Sequence, residues 1–289
     1  MLRNLSNNYK NLGKLQDQIA SQKKFTRPSD DPVAAMQGLG YRTDLERIQQ
    51  YQRNIGEVQK WVDSTDSALD NSISALQRIR ELTVKVSNGT LEADQREAVT
   101  KEIGQLKEQL ENIGDTQVGG QYIFNGLNTN VRPSEKGFSN GEINLEVFSG
   151  IKLPINTEGQ KLFEDLVGKV NLDGTKEKGY LDNLINVINT GNDLNGQPAT
   201  IDGELANIDK HIDNFLSERA TVGARQNRVE MMSDRLEQQE VFSTRILSNN
   251  EDLDMEKAII DMTTSQSVLR ASLSVGAQII QPTLVDFLR

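Results

Sequence analysis

The sequence predicts a mainly α fold. The N- and C-terminal regions form a long antiparallel helical bundle, or coiled-coil rod, with a small inserted α+β domain. Two observations favour the helical part: segments 33–132 and 199–281 contain no proline, which breaks helix interiors, and their apolar residues recur every three or four positions. A third observation favours the insertion, because the chain between these segments is rich in glycine, asparagine and β-forming residues.

The first long segment predicts two antiparallel helices. Apolar residues from Leu45 to Val86 alternate at spacings of three and four, which is the pattern of a coiled-coil seam. Asn88-Gly89-Thr90 predicts a stop and a turn. A second helix then carries one apolar side from Val99 to Ile113. Because the connection is short, the two helices are expected to lie side by side.

The middle of the chain predicts mixed structure. Gln121–Gly126 is rich in β-forming and turn residues, and Glu142–Val147 alternates apolar and polar side chains as a half-buried strand does. A short helix is expected at Tyr180–Asn189. These features predict an inserted domain.

The C-terminal part returns to the helical period from Leu205 to Ile246, until charged residues Glu251–Asp254 interrupt it. A last amphipathic helix starts near Met255. We therefore predict an N-terminal assembly helix and loop (1–40) that pairs with a C-terminal assembly helix (255–289). A helical core (41–130 plus 200–254) and an inserted variable domain (131–199) complete the division.

Composition excludes several classes of function. The formal net charge is −10 and no long basic run occurs, which disfavours nucleic acid and anionic membranes as partners. There is no cysteine, so disulfides and thiol chemistry are excluded. The start of the chain is polar and lacks the apolar centre of a secretory signal peptide.

No residue pattern predicts chemistry. Asp30-Asp31 is interpreted as a helix start, with Ser29 or Asp30 as the cap and Pro32 at the first helical position. His211 is the single histidine, so it makes a poor metal site. The acidic residues at 251–256 lack the glycine and spacing of a calcium loop, and they predict a solvated helix junction. The sequence predicts no catalytic residue, no metal and no cofactor, and hence not an enzyme.

Three segments carry a family resemblance. They are Lys23–Ala34 (KKFTRPSDDPVA), Val222–Glu230 (VGARQNRVE) and Ser265–Gln278 (SQSVLRASLSVGAQ), the last followed by an apolar tail. In this order and at this spacing they resemble the terminal regions of the bacterial flagellin family. Pro28–Pro32 (PSDDP) and Gln121–Gly126 (QYIFNG) resemble the members at the hook–filament junction more than the filament flagellins. Family members commonly carry a further short segment before the position that matches Met1, so the resemblance implies that part of the N-terminal assembly helix is missing.

The resemblance implies a structural subunit that joins hook to filament by self-assembly through its terminal helices. It implies export along the flagellar type III path without a cleaved signal peptide, and an extracellular place in the flagellum. The implied partners are copies of the same chain, other hook-associated proteins and flagellin, and an export chaperone at the C-terminal helix. Two alternatives stay open: a filament flagellin, and a cytoplasmic coiled-coil signalling or scaffold protein.

The predicted assembly interface is the apolar stripe of the two chain ends, because a stripe without a core in the monomer must find one in other copies. Its residues are Leu5, Leu12, Leu15 and Ile19 at one end, and Val268, Leu269, Leu273, Val275, Ile279, Ile280, Leu284, Phe287 and Leu288 at the other. Arg225, Asn227 and Arg228 are candidates for polar contacts between subunits; pairing with Glu218 or Glu230 is the alternative.

Overall fold

The structure is a computed structural model that describes the backbone of residues 2–88, 92–170 and 175–285, and the side chains of 3–88, 92–170 and 175–276. The elements follow one another along the chain: α1 (Leu2–Ser21), α2 (Pro32–Ser87), α3 (Ala93–Gly114), β1 (Gln117–Val118), β2 (Gln121–Tyr122), α4 (Pro133–Lys136), β3 (Asn144–Phe148), β4 (Ile151–Pro154), a π-helical turn (Gln160–Glu164), α5 (Asp165–Val167), α6 (Tyr180–Thr190), α7 (Ile201–Glu251) and α8 (Met255–Val285). The predicted fold class is confirmed: helices dominate, and a small strand-containing region lies in the middle of the chain.

The chain divides into two compact units. We call residues 1–49 and 237–289 the terminal unit, and residues 50–236 the central unit. The four-part division drawn from the sequence stays a prediction. Within the described residues, no helix combines the length and apolar character needed to cross a membrane.

The start of α2 follows from a local capping motif. The Asp31 carboxylate accepts hydrogen bonds from the backbone N–H groups of Val33 (3.2 Å) and Ala34 (3.0 Å). Pro32 occupies the first helical position, where its missing N–H costs nothing. The cap is therefore Asp31, and the expectation of Ser29 or Asp30 was wrong. Asp30 instead accepts a hydrogen bond from the backbone N–H of Arg27.

In the central unit, α2 and α7 run antiparallel. The guanidinium of Arg219 pairs with Asp66 (2.9 Å), and that of Arg80 pairs with Asp209 (2.6 Å), so partners further along α2 lie earlier along α7. Exposed pairs of this kind add little stability. The two ion pairs do, however, define the register in which α2 and α7 pack against each other along their apolar seam.

The core of the central unit is continuous along this seam and includes α3 and α6. Its largest fully buried side chains are Trp61, Phe124, Phe163, Phe215, Leu69, Leu76, Ile79, Ile103, Leu110, Ile123, Leu153 and Leu166. Phe163 lies at an aromatic junction, with its ring centroid 5.1 Å from that of Phe124 and 5.3 Å from that of Phe215. The π-helical turn that carries Phe163 is thereby packed against α7.

The strand-containing region consists of two separate antiparallel hairpins, β1–β2 and β3–β4. The second matches the strand predicted at Glu142–Val147 to within two residues, with a bulge between Glu146 and Phe148. The first is much shorter than the β-rich composition of Gln121–Gly126 suggests. At Gly126 the backbone turns with a φ of 52°, and a Cβ there would lie 2.3 Å from the Ser139 carbonyl oxygen, so the chain leaves the hairpin in a tight turn that only glycine fits.

Candidate assembly surface

The inner face of α1 is a heptad seam. The helix lies against α8, and most of its half-buried positions are spaced by three and four residues: Leu5, Asn8, Leu12, Leu15 and Ile19, with Gly13 and Gln18 half-buried beside them. The helix is amphipathic, because the residues between these positions are polar and mostly exposed. All four predicted α1 residues therefore lie on one seam, and that seam faces α8 of the same chain.

The matching face of α8 also follows a strict heptad, but it is built largely from small residues. Apart from Gln266, the positions that are buried or half-buried are Met255, Ala258, Met262, Ser265, Leu269, Ser272 and Gly276. Small side chains at a helix contact let the two backbones approach closely. Of this face the sequence-based interface contained only Leu269, because small side chains such as serine and alanine do not stand out as an apolar stripe. The spacing of three and four was the available signal.

The larger aliphatic residues of α8 flank this seam and remain exposed. Ile259 and Leu273 lie on one side of it, and Val268 and Val275 lie on the other. Leu273 is 46% exposed, Val268 is 47% exposed and Val275 is 48% exposed. In a two-stranded coiled coil these flanking positions are usually charged. Apolar residues there are typical of a helix that contacts further helices on both sides.

Two more exposed apolar groups belong to the terminal unit. Val33, Met36 and Leu39 lie on the outer face of the first turns of α2, opposite the face that buries Gly38 and Ile48. Val241 and Phe242 are exposed near the end of α7, and Tyr9 and Ile260 are exposed on the terminal helices. The sequence-based interface did not include these residues.

The predicted C-terminal residues have different positions. Leu269 is buried on the inner seam, whereas Val268, Leu273 and Val275 are on the exposed flanks. Ile279, Ile280 and Leu284 are in the described backbone of α8, but their side chains lie outside the described part of the chain. Phe287 and Leu288 lie outside the described residues altogether.

The candidate polar contacts are in the central unit. The guanidinium of Arg225 donates a hydrogen bond to the Asn156 carbonyl oxygen at 3.0 Å. It lines a polar cleft together with Glu142, Glu158 and Lys161. Asn227 and Arg228 are exposed on the same helix.

The junction of α7 and α8 differs from the expectation of a solvated turn. The Glu251 carboxylate is buried, and its Oε2 accepts hydrogen bonds from Lys23 Nζ at 2.8 Å and Arg42 Nη2 at 2.6 Å. Burial raises the pKa of Glu251, but the hydrogen bonds from Lys23 and Arg42 outweigh it and hold that pKa below its ordinary value. The hydrogen bond to Glu251 raises the pKa of Lys23. The sequence contained no sign of this pairing, because its members are about 200 positions apart.

The metal-ligating side chains of the described residues are dispersed. Among the described residues, no group of three or more His, Asp or Glu side chains is placed to hold a metal. His211 packs against the ring of Tyr180, with 4.9 Å between ring centroids, and burial lowers its pKa. His211 is therefore a packing residue of the central unit.

Comparison with protein families gives matches at both ends of the chain. Residues 1–129 match the family described as the bacterial flagellin N-terminal helical region, and residues 205–288 match the bacterial flagellin C-terminal helical region. Flagellar hook-associated protein 3 of Escherichia coli is 27% identical over 288 residues, which cover 94% of this chain and 91% of that protein. The Salmonella typhimurium protein of the same name is 27% identical, with 90% and 87% covered. A Listeria monocytogenes flagellin is 24% identical, with 95% and 90% covered.

Solved structures share the fold. The crystal structure of FlgL from Bacillus cereus matches with a TM-score of 0.59 at 20% identity, covering 72% of this chain and 99% of that one. The flagellar junction protein FlgL from Legionella pneumophila matches with a TM-score of 0.55 at 16% identity, covering 74% and 99%. At these identities the likeness concerns the fold alone.

Proposed function

Because the chain belongs to the bacterial flagellin family, we propose that it is a structural subunit of the flagellum that joins hook to filament by assembling through its terminal helices. Similarity along nearly the whole chain to hook-associated protein 3 supports the junction position over a filament position, since the flagellin matches are weaker. Nothing in the described structure favours the cytoplasmic signalling alternative. The family is structural, and the proposed role involves no catalysis and no cofactor.

The observation that carries the proposal is the pair of apolar flanks on α8. The α1 seam already covers the inner face of α8, so Ile259, Leu273, Val268 and Val275 need other helices to leave water. A second copy offers the same surfaces again, and repeated head-to-tail contact of this kind builds rings or helical assemblies.

The free energies of burial and association favour an assembly of several copies over a dimer. Completing the burial of a half-exposed aliphatic side chain contributes about 1 kcal/mol, so a contact that buries one two-residue flank of each partner contributes about 4 kcal/mol. Bringing two molecules together costs at least about 4 kcal/mol. Contacts on both flanks, shared among several copies, are therefore needed before association becomes favourable. A closed ring satisfies both flanks of every copy.

The remaining proposed partners are those that membership of the family implies. Other hook-associated proteins and flagellin would meet the two faces of the ring, and an export chaperone would cover the apolar C-terminal helix, from Val268 to Leu288, before assembly. The subunit would leave the cell by the flagellar export path without a cleaved signal peptide and act outside the cell. The exposed Arg228 and Asn227 remain candidates for polar contacts with a neighbouring subunit, as does Arg225 if its bond to Asn156 exchanges.

A matched pair of variants tests the proposal. Val268→Ser with Val275→Ser makes one flank of α8 polar, whereas Leu216→Ser changes a comparably exposed aliphatic residue (45% exposed) in the central unit. Sedimentation velocity and electron microscopy would follow assembly at raised protein concentration. The wild type and Leu216→Ser are expected to form short closed assemblies, and the double variant is expected to stay monomeric with an unchanged thermal melt.

Two results would count against it. Assembly of the double variant at the wild-type concentration would show that the flanks are not the interface. Long filaments from the wild-type chain alone would assign it to the filament and overturn the junction position.

A further inference from the structure

We propose that Asn140 is a site of spontaneous covalent modification, at which the side-chain amide is lost by reaction with the backbone of the same chain. The products are aspartate and isoaspartate at this position. The reaction needs no enzyme and no cofactor, and its co-reactant is water. The site lies in the central unit and does not depend on the proposed function.

The chemistry is that of an asparagine followed by a glycine. The backbone nitrogen of Gly141 loses its proton to base in the solvent and attacks Cγ of the Asn140 side chain. A bond forms between these two atoms, the bond from Cγ to Nδ2 breaks, and the amide nitrogen takes up a proton and leaves as ammonia. Water then opens the succinimide ring at either carbonyl carbon, which yields aspartate or isoaspartate. Glycine favours the attack because it has no side chain to crowd the nitrogen.

The sequence contains four Asn-Gly pairs, at positions 88–89, 125–126, 140–141 and 195–196. Because the dipeptide is the same in each, differences in rate between them must come from the folded structure. The second residue of the first pair lies outside the described residues. The other three pairs can be compared directly.

The pair at Asn125 is protected. Its side chain is 1% exposed. Nδ2 donates to the carbonyl oxygens of Asn128 (3.0 Å) and Val131 (2.7 Å), and Oδ1 accepts from the backbone N–H of Ser139 at 2.7 Å. All three hydrogen bonds must break before the side chain can turn toward its own backbone. Since each bond changes an opening equilibrium by about fivefold, three of them slow the reaction by about a hundredfold.

The pair at Asn195 is exposed, but its nucleophile is held. The Gly196 N–H donates to the Asp193 carbonyl oxygen at 3.1 Å. The Asp193 carboxylate accepts from the backbone N–H groups of Asn195 (2.9 Å) and Gln197 (2.7 Å) on either side. A nearby negative charge disfavours removal of the Gly196 proton. One hydrogen bond to break makes this pair slower by about fivefold.

The pair at Asn140 has neither restraint. Asn140 is exposed, and in the described part of the chain its side chain makes no hydrogen bond and the Gly141 N–H donates none. Gly141 has a φ of 117°, and a Cβ there would lie 2.7 Å from Leu127 Cγ. The loop therefore requires glycine at the second position, and with it the reactive dipeptide.

Modification would strain a segment that is fixed on both sides. Before the modified residue, the Ser139 N–H donates to Asn125 Oδ1 at 2.7 Å. After it, Asn156 Nδ2 donates to the Gly141 carbonyl oxygen and Asn156 Oδ1 accepts from the Ile143 N–H, both at 2.8 Å. Isoaspartate carries the backbone through its side chain and so lengthens this segment by one carbon atom. The longer segment cannot keep both sets of hydrogen bonds in place.

The effect would extend to α7. The Asn156 carbonyl oxygen accepts the hydrogen bond from the Arg225 guanidinium at 3.0 Å, and both residues line the polar cleft. Displacement of Asn156 would release the Arg225 guanidinium into that cleft. Formation of isoaspartate in an exposed loop would thereby change a contact of the long helix.

Peptide mapping by mass spectrometry tests the site. The full-length protein is incubated in heavy-oxygen water at mildly alkaline pH, with a parallel sample in concentrated urea. In urea the three pairs should incorporate heavy oxygen at similar rates. In the native protein Asn140 should react at close to its rate in urea, Asn195 about fivefold more slowly and Asn125 about a hundredfold more slowly. A native rate at Asn140 as low as that at Asn125 would overturn the site.

Amide hydrogen exchange tests the structural consequence. Peptides that contain Ser139 and Ile143 should exchange faster in aged protein than in fresh protein. Asn140→Gln is the control that blocks the change, because the longer side chain cyclises far more slowly. Asn195→Gln is the matched control that leaves it intact. Unchanged exchange in aged protein whose Asn140 has fully reacted would overturn the proposed displacement of Asn156.

Discussion

The central and terminal units bury apolar surface very differently, although the long helices α2 and α7 contribute to both. The central unit fully buries Trp61, Leu76, Phe163 and Phe215 along with many smaller residues. Most of the large apolar side chains that are exposed in the described part of the chain belong to the terminal unit, which is the smaller of the two.

This contrast separates two ways of using an amphipathic helix. In the central unit, α2 and α7 are covered by α3, α6 and the strand-containing region, so their apolar stripes are enclosed. In the terminal unit, α1 and α8 cover one stripe of each other, and the flanks of α8 remain in water. A helix pair by itself cannot enclose more than this. The central unit thus encloses its apolar core within one chain, whereas the terminal unit leaves apolar surface that, under the proposed function, other copies would cover.

The largest effect is expected when the end of α8 is removed. Deleting Thr264–Arg289 is expected to abolish assembly and to leave the central unit folded, because its core lies within 50–236. Circular dichroism melts would follow folding, and sedimentation velocity would follow assembly. An assembly-competent deletion would place the interface elsewhere.

Truncating one leucine in each unit compares how deeply the two units bury their apolar side chains. Leu76→Ala in the central core should destabilise the protein by about 3 kcal/mol, since the leucine is fully buried and leaves a cavity. Leu15→Ala on the half-buried α1 seam should cost about 1 kcal/mol or less. Urea unfolding followed by the fluorescence of Trp61 reports on the central unit. It should therefore show the destabilisation by Leu76→Ala and show no change for Leu15→Ala. Equal shifts for both variants would contradict the separation of the two units.

The smallest expected effect concerns pH and the central unit alone. Burial lowers the pKa of His211, an effect that the nearby Asp165 opposes. The unfolded chain therefore binds a proton more readily, so this stability is present above the ordinary pKa of about 6.5 and is lost as pH falls through the lower folded value. The melting temperature is expected to fall less between pH 7.5 and pH 5.5 in His211→Gln than in the wild type. This difference should be smaller than the drop in melting temperature that Leu76→Ala causes. An identical pH slope in the two proteins would show that His211 does not titrate on unfolding.

Much of the fold could be predicted because the long helices follow periodic patterns. The alternation from Leu45 to Val86 predicted α2, and that from Leu205 to Ile246 predicted most of α7. The start of α2 lies earlier than the seam suggested, because Asp31 and Pro32 begin the helix by capping and not by apolar burial. Local chemistry and periodicity thus determine different parts of the same helix.

The site was less predictable for two physical reasons. Apolar size suggested Val268, Leu273 and Val275 as parts of one stripe with Leu269, but close approach of α1 selects the small residues of α8 instead. The Glu251 cluster joins residues far apart in the chain, and no local pattern marks such a pairing. Spacing alone therefore identified the helices but not the faces that they turn toward each other.

The small residues of the inner α8 seam have a mechanical consequence. Ala258, Ser265 and Ser272 make shallow knobs, so α1 meets a smooth groove between the larger Met262 and Leu269. A smooth groove lowers the barrier to small axial sliding of one helix along the other. The α1–α8 pair can therefore shift its axial register without repacking large side chains.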